Sequence, residues 1–307
     1  MYAKAYRGGA ARMYCCFDVP RLRAPITFSV RAPAGWSCLS NAAAVSRPPG
    51  DGTGTWRFAP TAPIAPAVSS ICAGPYVGAS LSCEREAGPE LPVSVLAMPS
   101  ASGQLQPRRV LGLVREPLRY YERNLGLPFP YGKCDVLFVP GFPGLAFSAP
   151  GLIAIKEEAL SQARPGERSL YLATVIAHEL SHAWIGGLAS ICRGEQIEMW
   201  LVEALATYVS RSELTEIIPG ATPWAAGETA PPDHDYAANA AIIQRLELLI
   251  GRDAVFRGLG SFLRQHSHSD AGQDEMVRCW SEQSKRDLRP WAAANLRPVA
   301  RAGGCPD

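Results

Sequence analysis

An α+β protein is the expectation from three features of the 307-residue sequence. Short apolar runs separated by Pro- and Gly-dense turns occupy the first third. Long stretches of helical period, with strands between them, occupy the rest. The change between the two is abrupt near residue 110. We therefore expect a reduced all-β domain over residues 1–109 and a larger mixed domain over residues 110–307, each with its own core.

In the first part, strands are expected at residues 25–31, 55–58 and 69–72, with a turn at Pro48-Pro49-Gly50-Asp51-Gly52. β-branched and aromatic residues bounded by turn formers read that way. In the second part, residues 114–124 have a helical pattern. Residues 134–140, with Asp135-Val136-Leu137-Phe138-Val139, read as a buried strand, and 152–155 as another. Helical periodicity then recurs at about 168–188, 197–213, 235–250, 253–265 and 273–284. Residues 214–234, rich in Pro, Gly and Ala, read as a loop.

Composition narrows the function classes. With 47% hydrophobic and 19% charged residues, this is an ordinary globular chain. The net charge of +2, without a basic stripe, argues against a nucleic-acid partner. No apolar run reaches membrane-spanning length, so no membrane partner is expected. The start carries Lys4, Arg7 and Arg12 but no apolar segment, so no secretory signal is expected there. The nine cysteines are odd in number and lack a Cys-x-x-Cys, which points to reduced thiols and a cytoplasmic protein. Nothing in the composition indicates an oligomeric state.

The chemistry is concentrated at Ala177-His178-Glu179-Leu180-Ser181-His182-Ala183-Trp184. Residues four apart share a helix face, so His178 and His182 can reach one ion. Neutral imidazole suits Zn²⁺, which needs a third ligand and an open position for water. Glu179, about 100° around the helix from His178, can accept a proton from the activated water. The surrounding residues Leu172, Ala173, Val175, Ile176, Leu180, Trp184 and Ile185 are apolar. A helix this apolar is buried, and polar groups within it need partners. Glu195, Glu198 and Glu203 are the candidate third ligands. Glu203 lies inside the apolar helical run Met199-Trp200-Leu201-Val202-Glu203-Ala204-Leu205, where an unpaired acid is costly. Glu195 and Glu198 follow Arg193-Gly194 and look like solvated acids.

His-Glu-Leu-Ser-His-Ala-Trp followed by Trp200-Leu201-Val202-Glu203-Ala204 resembles the aminopeptidase N family of zinc metallopeptidases, which includes the leukotriene hydrolases. In that family eighteen residues separate the His motif from a Glu within Trp-Leu-Asn-Glu-Gly. Here residues 183–202 intervene, two more, and strict spacing would fall on Leu201. The Trp-Leu-x-Glu context selects Glu203, with the insertion near Cys192-Arg193-Gly194. Ala11-Arg12-Met13-Tyr14-Cys15-Cys16-Phe17-Asp18-Val19-Pro20 is similar to the family's Ala-Arg-x-x-x-Pro-Cys-Phe-Asp-Glu-Pro segment. Trp56-Arg57-Phe58 and Ala73-Gly74-Pro75-Tyr76 resemble the close of its β domain. Pro128-Phe129-Pro130-Tyr131-Gly132-Lys133 resembles the entry to its thermolysin-like catalytic domain. Asp235-Tyr236-Ala237, with Leu248-Leu249-Ile250-Gly251-Arg252-Asp253 after it, resembles the segment of the family's catalytic tyrosine.

The resemblance implies a partial β domain followed by a thermolysin-like zinc domain. It implies one Zn²⁺ per chain on His178, His182 and Glu203, with Glu179 as general base and Tyr236 donating to the oxyanion. The substrate is then a peptide or an amide-containing small molecule. The chain is expected to start inside the family's β domain and to lack its carboxy-terminal helical domain. The family's Gly-x-Met-Glu-Asn substrate motif aligns with Leu145-Ala146-Phe147-Ser148-Ala149. Ala146, Phe147 and Ser148 are thus the expected substrate contacts. Ser148 stands where the family's amine-gripping glutamate would be, unless Glu157 or Glu158 replaces it. Two further readings stay open: a hydrolase repurposed for one biosynthetic intermediate, and a non-catalytic metal-binding scaffold.

Overall fold

The computed structural model describes residues 2–4, 9–48, 52–86, 88–161, 167–193, 196–218 and 236–296. Small antiparallel sheets come first. Strands β1 (Tyr2–Lys4), β2 (Ser29–Pro33), β3 (Ser37–Ser40), β4 (Ala44–Ser46), β5 (Thr53–Phe58) and β6 (Ser70–Gly74) form two three-stranded sheets, ordered β1-β6-β3 and β2-β5-β4. Val30, Ala32, Trp56, Phe58, Cys38 and Ala73 make their shared core. The alternating burial of β2 and β5 is that of sheets with one wet face.

A five-stranded sheet is the platform for the rest. It comprises β7 (Val77–Cys83), β8 (Leu91–Ala97), β9 (Cys134–Val139), β10 (Ala146–Ala149) and β11 (Leu152–Lys156), in the order β10-β11-β9-β8-β7. β9 pairs in parallel with both β8 and β11, and every residue of β9 is buried. That is why Cys134–Val139 reads as an apolar run rather than an alternation. The sheet draws strands from both sides of residue 110, so the change in composition does not coincide with a break in hydrogen bonding. Helix α1 (Pro107–Leu125) follows β8 and starts earlier than periodicity indicated, with Pro107 in its first turn.

The remaining elements are α2 (Glu167–Ser181), β12 (Ala189–Arg193), β13 (Gln196–Ile197), α3 (Met199–Ile217), α4 (Tyr236–Ile250), α5 (Arg252–Gln265), β14 (Ser269–Ala271), α6 (Gln273–Ser284) and α7 (Arg289–Asn295). The pattern at 168–188 suggests one helix, but α2 ends at Ser181. Gly186 has φ +94°, and a Cβ on Gly187 would lie 2.5 Å from the His182 carbonyl oxygen. Gly187 and Leu188 N–H groups return to the His182 and Ala183 carbonyls at 3.0 and 2.9 Å, closing the helix. Helix α3 runs past residue 213 because Leu214 is still buried. Most of the expected 214–234 loop lies outside the described residues.

One core joins α1, α2, α3, α4, α5 and α6 to one face of the five-stranded sheet. On the other face Leu137, Val139 and Ala154 meet Cys72 and Tyr76. Asn41 fastens the small sheets to the platform. Its Nδ2 donates to the Val68 and Pro150 carbonyls, each at 3.0 Å, and its Oδ1 accepts from the Ser70 N–H at 2.8 Å. Among the described residues no helix is long and apolar enough to cross a membrane. None of the eight described cysteines is in a disulfide.

Candidate active site

Helices α2 and α3 pack together and bring the candidate ligands to one point. His178 Nε2 lies 3.2 Å from Glu203 Oε2 and 3.3 Å from His182 Nε2, and His182 Nε2 lies 3.6 Å from Glu203 Oε2. Donors about 2.0–2.1 Å from a tetrahedral Zn²⁺ lie roughly 3.3 Å apart, so this triangle has the edge of a zinc ligand set. It is the group of His, Cys, Asp and Glu side chains that could hold a metal among the described residues. The side chains retain 20%, 16% and 15% exposure for His178, His182 and Glu203, so the triangle opens to one side.

The protonation of His182 follows from its other nitrogen. Nδ1 lies 3.1 Å from the Ile185 carbonyl oxygen, which can only accept. The ring proton therefore sits on Nδ1, and Nε2 faces the triangle. With no cation counted, the acids around the ring also favour a second proton, on Nε2 toward Glu203. Burial pulls His182 down, but Glu203, Glu179 and the Ile185 carbonyl outweigh it and carry the imidazole up to about 9. Burial pushes Glu203 up, yet His182 and His178 hold it well below the usual carboxylate range. An anionic carboxylate beside two imidazoles is the donor set a borderline cation takes.

The end of α2 is held by aromatic packing. Tyr121 on α1 donates its hydroxyl to the Ala177 carbonyl at 2.9 Å. Trp184, fully buried, donates to the Pro128 carbonyl at 3.1 Å and meets Tyr121 and Phe129 edge to face. The Pro128-Phe129-Pro130-Tyr131 segment thus braces the helix that carries both histidines. Tyr236 opens α4, and its ring stands edge-on to His178 with centroids 5.9 Å apart. Glu179, half-buried, sits between the two histidines in sequence on the last turn of α2.

The other candidate acids are placed elsewhere. Glu198 pairs with Arg193 and accepts from Trp200 Nε1 at 3.0 Å, so both its oxygens are engaged at the start of α3. Glu195 lies outside the described residues. Glu157 accepts from the Met98 N–H at 3.3 Å, next to the end of β8. Glu158 is exposed.

The 146–149 strand lies at the sheet edge, antiparallel to β11. Ala146 pairs with Ile155 and Ser148 with Ile153, whose side chains pack in the core shared with α2. Directly paired residues point to the same face, so Ala146 and Ser148 face α2. Phe147, paired with Ala154, packs on the opposite face near Tyr76 and Phe142. Two contributors carry weaker sequence signals. The Ile185 carbonyl is marked only by Gly186-Gly187, a turn signal directly after the motif. Tyr121 has no signal, because its hydroxyl reaches Ala177 only through the packing of α1 on α2.

Residues 110–230 match the peptidase family M1 domain. Over 94% of its length the chain is 26% identical to aminopeptidase N of Streptomyces lividans, of which the match covers 36%. It is 24% identical over 93% of its length to a leucyl aminopeptidase of Saccharolobus solfataricus, covering 40% of that protein. Bovine aminopeptidase N is 27% identical over 65% of the chain, covering 21% of the relative. The chain thus spans two fifths or less of the length of these relatives. Together with the motif and the paired helices that carry it, these matches make residues 110–230 similar to the peptidase family M1 domain and most of the chain similar to aminopeptidases of the aminopeptidase N type.

Proposed function

We propose that the chain is a zinc-dependent hydrolase of the aminopeptidase N type that cleaves a peptide or amide bond with activated water. The observation that carries this reading is the triangle of His178 Nε2, His182 Nε2 and Glu203 Oε2, with edges of 3.2–3.6 Å, between the end of α2, which also bears Glu179, and α3. One Zn²⁺ held there supplies a Lewis acid and a more acidic water. Glu179 takes the proton of the attacking water and delivers it to the leaving amine. Tyr236, beside His178, donates its hydroxyl to the oxyanion as the tetrahedral centre forms. Ala146, Phe147 and Ser148 form the strand along which the substrate lies, with Ser148 on the face toward α2.

The test is Glu179→Gln. The amide is nearly isosteric but cannot accept the proton, so the variant should bind zinc like the parent and lose hydrolysis. Zinc retained together with parental turnover would remove Glu179 from the mechanism. A non-catalytic scaffold would show no turnover in the parent.

Ser148 favours a second reading of the substrate. A hydroxyl on the α2-facing side of the edge strand offers no charge to an α-ammonium, and Glu157 is engaged by Met98. A dedicated amide intermediate without a free amine fits that surface. The catalytic unit in this reading extends from β7 onward, since β7 and β8 share the sheet with β9. A cytoplasmic setting accords with eight described cysteines outside any disulfide.

A further inference from the structure

We propose that Arg23 is a positioning residue for the metal centre: its guanidinium clamps the 185–190 turn whose Ile185 carbonyl orients His182. The inference rests on the zinc reading above. Arg23 belongs to the segment ahead of β2, far from the His motif in sequence. Its Nη1 donates to the Gly187 carbonyl at 2.6 Å and more weakly to that of Leu188 at 3.4 Å. Its Nη2 donates to Ser190 Oγ at 2.8 Å, and Ser190 Oγ donates to the Gly186 carbonyl at 2.8 Å. The planar fork of one arginine therefore spans both ends of the turn, which a point charge cannot do.

Arg23 acts beside other restraints: Ile185, Leu188 and Ala189 are buried in the core, and the Leu188 carbonyl accepts from the His268 N–H at 2.7 Å. Gly186 and Gly187 lack side chains, and their conformation is set by backbone hydrogen bonds: Gly186 N–H to the Ala189 carbonyl at 2.7 Å and Gly187 N–H to that of His182 at 3.0 Å. Between the helix end and Gly186 sits Ile185, the acceptor of His182 Nδ1. A metal-bound histidine depends on the acceptor of its second nitrogen for both ring orientation and basicity. Loosening the carbonyls at 186–188 loosens Ile185, and with it the imidazole.

The guanidinium is retained at a cost. Burial holds Arg23 below its ordinary value, and no carboxylate lies within ion-pair distance of it among the described residues. Its Nε is buried without a partner, as is the hydroxyl of the neighbouring Tyr131. A largely buried cation whose direct partners are two carbonyls and a hydroxyl, with Asp270 acting only from a distance, is weak as a device for stability.

The experiment measures zinc affinity by chelator competition, with the visible spectrum of the Co²⁺ form, for the parent, Arg23→Met, Ser190→Ala and Asn41→Ala. Asn41→Ala breaks a comparable link between the small sheets and the platform, but at Pro150, away from the turn. Arg23→Met should bind zinc about 10- to 100-fold more weakly, the usual loss when a ligand's outer partner is disturbed. Its Co²⁺ bands should shift or weaken. Ser190→Ala, which keeps the arginine and removes one acceptor, should lose affinity in the same direction and carries the test if Arg23→Met does not fold. Asn41→Ala should lower thermal stability but leave zinc affinity at the parental value. Parental affinity in both turn variants, or an equal loss in Asn41→Ala, would overturn the proposal. A parent that binds no zinc would overturn the metal reading and this inference with it.

Discussion

At the residue scale, the choice of candidate third ligand is where two acids near the start of one helix diverge. Glu198 has both oxygens committed to Arg193 and Trp200, whereas Glu203 points at both imidazoles. His178→Ala, His182→Ala and Glu203→Ala should each lose the bound zinc, and Glu198→Ala should keep it, by metal analysis after gel filtration. Stoichiometric zinc in Glu203→Ala but not in Glu198→Ala would exchange their roles. Tyr236→Phe removes only a hydroxyl near His178. Turnover should drop by about 10²–10³-fold, with substrate binding little changed, as for the loss of one oxyanion donor. Parental turnover in that variant would sink the assignment. Ser148 predicts a poor general aminopeptidase. A missing charge-assisted contact costs about 1.5–3 kcal/mol, or roughly 10- to 150-fold. Aminoacyl anilides should thus be no better substrates than amino-terminally blocked peptides of equal concentration. A preference for the free amine that vanishes in Glu157→Gln or Glu158→Gln would restore a carboxylate anchor.

At the element scale, close backbone approach governs how the helices meet. Helix α5 crosses the end of α1 at Gly260, where a Cβ would lie 2.1 Å from the Leu125 carbonyl oxygen. Nothing at that spot can yield, because the neighbour is backbone. Gly260→Ala should therefore destabilise the fold by about 1–3 kcal/mol, the range for overpacking a filled site, read as a lower denaturant midpoint. An unchanged midpoint would mean that α1 and α5 are farther apart than described. The α1 to α2 contact matters more for chemistry, since Tyr121 and Trp184 tie the end of the histidine helix to α1 and to Pro128.

At the scale of the whole molecule, one buried acid should tune stability with pH. Glu213 on α3 is 3% exposed, and one of its oxygens has no partner. Burial, then Glu116 and Glu216, push its carboxyl up to about 8. Between the ordinary carboxylate range and about 8 the folded state holds a proton that the unfolded chain has released. Stability therefore falls as pH rises through that window and levels off above it. Glu213→Gln abolishes the ionisation, so the variant should melt above the parent at pH 9 and with it at pH 4. Each ~1 kcal/mol gained would appear as about 2–4 °C. Equal melting temperatures at both pH values would show that the parent carboxylate finds a partner when ionised.

The pair His178 and His182 and the neighbouring Glu179 were legible because helical spacing is local: four residues make one turn in any context. The strand at Cys134–Val139 and the helices after residue 167 were legible for the same reason, since burial on one or both faces imprints a period on the chain. Glu203 was legible only through its apolar surroundings, which make an acid there need a partner. What the sequence could not state are relations between distant segments. The end of α2 at Ser181 depends on how tightly Gly187 returns to His182. Strands β7 and β8 join β9 across the change in composition, because hydrogen bonding between strands has no local signature. The facing of Ser148 toward α2 and of Phe147 away from it depends on register with β11. Sequence by itself determined which groups are the candidates for the chemistry, through local periodicity and the cost of burying charge. Only the tertiary structure decided their distances, the proton on His182 Nδ1 and the reach of Arg23 to the turn, because each depends on packing between segments that the chain keeps far apart.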